Sequence, residues 1–104
     1  MESINVVELV TGQKLLANVV KEDDKFTFLK KSMWLSQGLN GSMSLVPYTA
    51  LGKVDVEIKI SHEKIITSYE LDDKNLKTSY AGAWEQYRMK KTGIITQDKK
   101  LDLI

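Results

Sequence analysis

Residues 6–20 read VVELVTGQKLLANVV, two aliphatic arms about Thr11-Gly12-Gln13. The β-branched and apolar residues of 4–10 (INVVELV) predict one strand, and 14–21 (KLLANVVK) predict a second. Gly12 supplies the backbone freedom that a tight turn between them needs. The stretch is therefore a hairpin with an unusual load of apolar side chains. What covers them decides the fold.

Further along, EDDK (22–25) is a charged turn, and FTFLKKSMWL (26–35) resumes a strand pattern that is polar at Lys30 and Lys31. SQGLNGS (36–42) is a polar loop, and MSLVPY (43–48) is short and extended. Pro47 argues against a central, fully paired position there. The segment 43–54 is either the bent continuation of one strand or a separate short strand followed by a loop at 49–53. VDVEIKI (54–60) carries the cleanest alternation: Val54, Val56, Ile58 and Ile60 interleave with Asp55, Glu57 and Lys59. That period of two predicts a strand with one buried and one solvated face. SHEK (61–64) reads as a turn and IITSYEL (65–71) as the last core strand. Strands joined by short turns, with no helix between them, predict an antiparallel sheet. Five strands in about seventy residues favour a mainly β fold, a strongly bent antiparallel sheet that curls into a small barrel, because closure removes exposed edges.

Residues 71–91 differ. Leu76, Tyr80, Trp84 and Tyr87 recur at helical spacing, and Asp72 or Asp73 is placed to cap the start. The expectation is one domain, with a barrel over 1–71 and a C-terminal helix and tail over 72–104. The tail would pack on its own barrel or on a neighbouring subunit, with GIIT near 93–96 frayed or forming a stray strand.

A chain of 104 residues with 42% hydrophobic content supports one modest core. Lys and Arg number 15 against 14 Asp and Glu, so a net charge of +1 gives no global attraction to nucleic acid or membrane. Any anion site must come from local clustering. The absence of cysteine excludes disulfides, thiolate metal sites and cysteine nucleophiles. No signal peptide or membrane-spanning run is evident, so the expected location is the cytoplasm.

The hairpin resembles the first motif of the Sm-like family, which includes Sm and LSm proteins and the bacterial RNA chaperone Hfq. Val7 and Leu9 stand as the apolar pair, Gly12 as the turn glycine, and Ala17 at the small-residue position. Val19 follows as apolar, Asp24 stands at the turn Asp, Phe26 at the next apolar position, and Thr27 at the Asn. IKISHEKIITSYEL follows the outline of the second motif, with Ile60 before the turn and Ile65 opening the last strand. LVTGQ, LVPY and a Tyr-bearing C-terminal segment are also similar to short phage-encoded proteins of this type. The resemblance covers residues 4–71 and implies an SH3-like small barrel that assembles into a homo-oligomeric ring through paired edge strands. Two departures concern base reading: Thr27 replaces the Asn that bonds a base edge, and Ser61-His62 replaces the Arg-Gly whose guanidinium packs on the base.

Each candidate site has two readings. Glu22, Asp23 and Asp24 could hold a cation, but the flanking Lys21 and Lys25 favour a solvated turn. His62 is the only histidine, so one chain cannot build a multi-histidine metal site. It is either a plain turn residue or, with Lys64, part of a pore loop that meets phosphate. Lys30, Lys31 and Trp34 form either a nucleic-acid face or a wet strand edge beside a core Trp. In WEQYRMKK (84–91), Trp84 could stack a base while Arg88 meets phosphate, or the aromatics are core and the cations suit a helix C-terminus. The terminal KKLDLI is reminiscent of peptides that dock on sliding clamps, a short match. No phosphate-cradling loop, catalytic triad or dinucleotide fingerprint occurs, so neither enzyme activity nor a cofactor is expected.

The leading expectation is a non-enzymatic ring of the Sm-like type, in a bacterial cell or phage-infected host, binding RNA or single-stranded nucleic acid in RNA or DNA processing. Its candidate contacts are Lys25, Thr27, Lys30, His62, Lys64, Trp84 and Arg88. The rival is the same ring as a structural or assembly adaptor for a protein partner.

Overall fold

The computed structural model describes residues 3–91. It is a mainly β fold of one antiparallel sheet and one C-terminal helix. Strands β1 (Asn5–Leu9) and β2 (Lys14–Glu22) form the hairpin around Gly12, whose φ of +95° explains the glycine. β3 (Phe26–Gln37) and β4 (Met43–Pro47) follow, then β5 (Ile58–Ser61), a single 3₁₀ turn at His62–Lys64, and β6 (Ile65–Glu70). Helix α1 spans Lys74–Lys91. The ladders run β4-β3-β2-β1-β6, with β5 also on β3, and no ladder joins the two ends among the described residues.

The sheet has six strands where five were expected, and β3 is the reason. It pairs β2 along one edge, while its other edge is divided. Phe26–Leu29 pair with β5, and Met33–Gln37 pair with β4. Between those halves Lys31 takes a φ of 56°, a left-handed conformation uncommon outside glycine, so the strand bends there. This also corrects the strand expected over 54–60. Ile58 pairs with Leu29; continued, that register would set Val56 opposite Lys31 in the bend and Val54 opposite Met33, which already pairs with Pro47 of β4. Only Ile58–Ser61 is strand, although Val54 and Val56 remain less exposed than Asp55 and Glu57. The segment after β4 is thus a loop, the second of the two arrangements left open by the sequence.

The hairpin is buried on both faces. Val6 and Leu16 join Met33, Leu71, Tyr80 and Trp84 in one cluster, while Val7, Leu9, Leu15, Ala17 and Leu29 form another. Sheet curvature closes the second cluster, with Ile58, Ile60 and Ile65 packed against it. Helix α1 covers the first, lying against β3 and β4. Asp73 Oδ1 accepts the Leu76 N–H at 3.0 Å, which caps the helix start. Tyr80 donates its hydroxyl to the Lys31 carbonyl at 2.7 Å, which ties the helix to the bend of β3. GIIT and the terminal KKLDLI lie outside the described residues.

Replacing Trp84 with Ala is expected to cost about 3–5 kcal/mol of stability, and Tyr80→Phe about 1 kcal/mol. Urea unfolding of both variants measures this. A Trp84 variant as stable as the parent would mean the helix is not part of the core.

Candidate nucleic-acid interface

Two loops meet at one end of the sheet. The β2–β3 turn is built by Asp23, whose Oδ1 accepts the N–H groups of Lys25 (2.8 Å) and Phe26 (2.7 Å). The residue that holds this turn is Asp23, not its neighbour Asp24, which stands at the turn-Asp position of the resemblance. These two bonds, the Lys25 one first, hold the Asp23 carboxyl below its ordinary value of 3.8, with His62 and Lys21 adding to the effect. The second loop is the 3₁₀ turn, capped where Ser61 Oγ accepts the Glu63 N–H at 3.3 Å. The His62 N–H donates to the Lys25 carbonyl at 2.8 Å, which joins the loops through their backbones.

Side chains complete the junction. Thr27 Oγ1 donates to Glu22 Oε2 at 3.2 Å and lies 3.0 Å from His62 Nε2, which is itself 3.3 Å from Glu22 Oε2. A hydroxyl has one proton. If that proton goes to Glu22, Nε2 must carry its own and donate, which also suits the adjacent carboxylate. The geometry therefore assigns the Nε2–H form. Thr27 is buried, and its one hydroxyl proton is committed to Glu22, so it has no donor left to offer a base edge.

The seven candidates thus separate. Lys25, Thr27 and His62 come together. Lys64 closes the same 3₁₀ turn, and its carbonyl accepts the Val10 N–H at 2.9 Å, while its side chain is exposed. Lys30 is exposed on β3 opposite Asn18, away from the junction. Trp84 is a correction to its stacking role: only 5% exposed, it packs in the core beneath the helix with Tyr87 beside it at a ring separation of 5.2 Å. Arg88 is held by Glu85 one turn back, through Nε to Oε1 at 3.3 Å and a second bond from its terminal nitrogen. That pairing lowers the Glu85 carboxyl and raises the Arg88 guanidinium.

Glu22 was missed as a site residue because the flanking lysines read as its screen. The available signal was register: in a hairpin closed at 23–25, Glu22 stands opposite Thr27. No group of three or more His, Asp or Glu capable of holding a metal occurs among the described residues. No helix among them is long and apolar enough to cross a membrane. The chain matches no known family model, and no curated protein matches it in sequence.

Because the folded Asp23 carboxyl is depressed, its contribution to stability is complete above 3.8 and lost as pH falls through the lower folded value. Asp23→Asn keeps an accepting oxygen but does not titrate. Its urea midpoint is expected to fall less on acidification than the parent's, and parallel curves would refute the role given to Asp23. Thr27→Val, which keeps volume and removes the hydroxyl, is expected to cost about 1 kcal/mol in the same measurement.

Proposed function

We propose that this chain is a small barrel of the Sm-like, SH3-like type that assembles edge to edge into a homo-oligomeric ring. The ring binds single-stranded RNA or DNA without catalysing a reaction, in the cytoplasm of a bacterial cell or phage-infected host. The observation that carries this is the junction of the two loops, the His62 N–H on the Lys25 carbonyl and the His62 ring on Thr27. It sets side by side the two segments whose sequences resemble the family's motifs. Assembly is supported by the outer edges of β4 and β6, which no further strand pairs among the described residues and which carry exposed apolar residues: Met43 and Val46 on one, Ile66 and Tyr69 on the other. Unpaired edges of this kind are satisfied when a neighbour's strand joins them.

With Thr27 engaged by Glu22 and His62, and no arginine in the loop, the site offers charge without base reading. Exposed Lys25 and Lys64 meet phosphates, and repeated copies around a ring give avidity to weak single sites. Binding is therefore sequence-tolerant and salt-sensitive. A second reading, a ring that serves as an adaptor for a protein partner, is favoured by the nearly fully exposed Leu39 and Leu51 in the loops around β4.

Labelled single-stranded RNA and DNA, titrated at two salt concentrations, separate the readings. Binding at low salt that weakens at high salt, and that is lost on replacing Lys25 and Lys64 together with Glu, is the expected result. No binding at low salt, or indifference to the double replacement, overturns the nucleic-acid role of these loops. Light scattering gives the mass, and a strict monomer at micromolar concentration removes the ring from both readings.

A further inference from the structure

The outer face of β3 carries a feature that the core does not explain. Thr27 and Leu29 point inward, so Phe26, Phe28 and Lys30 share the opposite face. Neither phenylalanine belongs to either core cluster. Register places Lys21 of β2 on one side of Phe28 and Lys59 of β5 on the other. The Lys21 ammonium lies 4.7 Å from the centre of the Phe28 ring, and the Lys59 ammonium 4.6 Å from that of Phe26. The two rings are 6.4 Å apart and inclined by 62°. Lys21, Lys30 and Lys59 are exposed. In a chain of net charge +1, this is a local concentration of cations around two half-buried aromatic rings.

We propose that this face is a second contact for single-stranded RNA, with bases stacked on Phe26 and Phe28 and phosphates held by Lys21, Lys30 and Lys59. The ammonium groups now over the rings mark the positions that bases take. An exposed cation–π contact is weaker than base–aromatic stacking. A base therefore displaces the lysine head, and its flexible stem carries the charge outward to a phosphate. The inclination of the rings keeps two bases splayed rather than in one continuous stack. A phenyl face stacks with any base, so the contact is sequence-tolerant. The nearest acids along the chain are Glu22 beside Lys21, Asp23 and Asp24 before Phe26, and exposed Glu57 two residues before Lys59. The Glu22 carboxylate is engaged by Thr27 and His62, and the Asp23 carboxylate is turned onto backbone N–H groups. This proposal extends the nucleic-acid reading above to a separate surface and rests on it for the identity of the ligand.

The test uses the full chain and labelled oligouridylate, with 4-thiouridine versions for photo-crosslinking. Phe28→Leu keeps an apolar side chain and removes the stacking face, so binding is expected to weaken about tenfold. Replacing Lys21 and Lys59 together with Gln is expected to reduce the slope of log affinity against log salt by roughly 1.4, at about 0.7 for each single-strand phosphate contact. Crosslinks are expected on the peptide containing Phe26 and Phe28, and circular dichroism melting checks that both variants fold. Wild-type binding that survives both changes, with crosslinks elsewhere, overturns the proposal. If Lys25 and Lys64 then prove essential, the loop reading stands without it. Loss of binding in the face variants, with none on replacing Lys25 and Lys64, supports this proposal and removes the loops instead. No RNA binding by the wild type overturns both.

Discussion

A hairpin that is apolar on both faces cannot remain a hairpin in water. Val6 and Leu16 point one way, Val7, Leu15 and Ala17 the other, and all are buried. Each fully buried aliphatic side chain is worth roughly 1.5–3 kcal/mol relative to exposure, so two covers are required. One comes from bending the sheet until β5 and β6 bring isoleucines over the inner face. The other is α1, laid across the outer face by Tyr80 and Trp84. Every later element of the chain can be read as supplying one of those covers or as connecting them. The aliphatic excess of residues 6–20 is the cause of the fold's two-layered core.

The bend has a local agent as well as a global motive. Lys31 adopts a conformation that costs energy for any residue with a side chain. The surroundings hold it there: β2 pairs on one edge, and the Tyr80 hydroxyl bonds its carbonyl. The same residue partitions the other edge of β3 between β4 and β5. A single backbone irregularity therefore decides how many strands the sheet has and where the helix rests.

Much of this was legible in the sequence, and the misses have physical causes. Runs of β-branched and apolar residues identified the hairpin, the third strand and the last strand, and helical spacing identified the helix. The last strand is not the core strand expected, since only Ile65 of β6 is half-buried and the rest is exposed. The alternation at 54–60 misled by half. It reports correctly that Val54 and Val56 are sheltered, but shelter on an irregular segment leaves the same imprint as pairing. Trp84 and Arg88 formed a basic-aromatic run in sequence, whereas on the helix the ring turns inward and the guanidinium meets Glu85. Phe26 and Phe28 were legible as alternate residues of a strand. The lysines that flank them come from other strands, so their grouping depends on register that no single segment encodes. The polar junction at Thr27 was legible only in part: hairpin register sets Glu22 opposite it, but His62 reaches it from the distant 3₁₀ turn.

The path between Pro47 and Ile58 leaves one edge of β3 and returns to that edge a few residues away. Both of its anchors are fixed by the bend rather than by the connection itself. Loop closure depends only weakly on length, so the exposed part of this excursion is free to lengthen, shorten or change its chemistry as long as Val54 keeps its place against the helix-side core. It is the natural place for the fold to diversify: a graft site at which related chains would differ most, and where Leu51 already stands out in solvent.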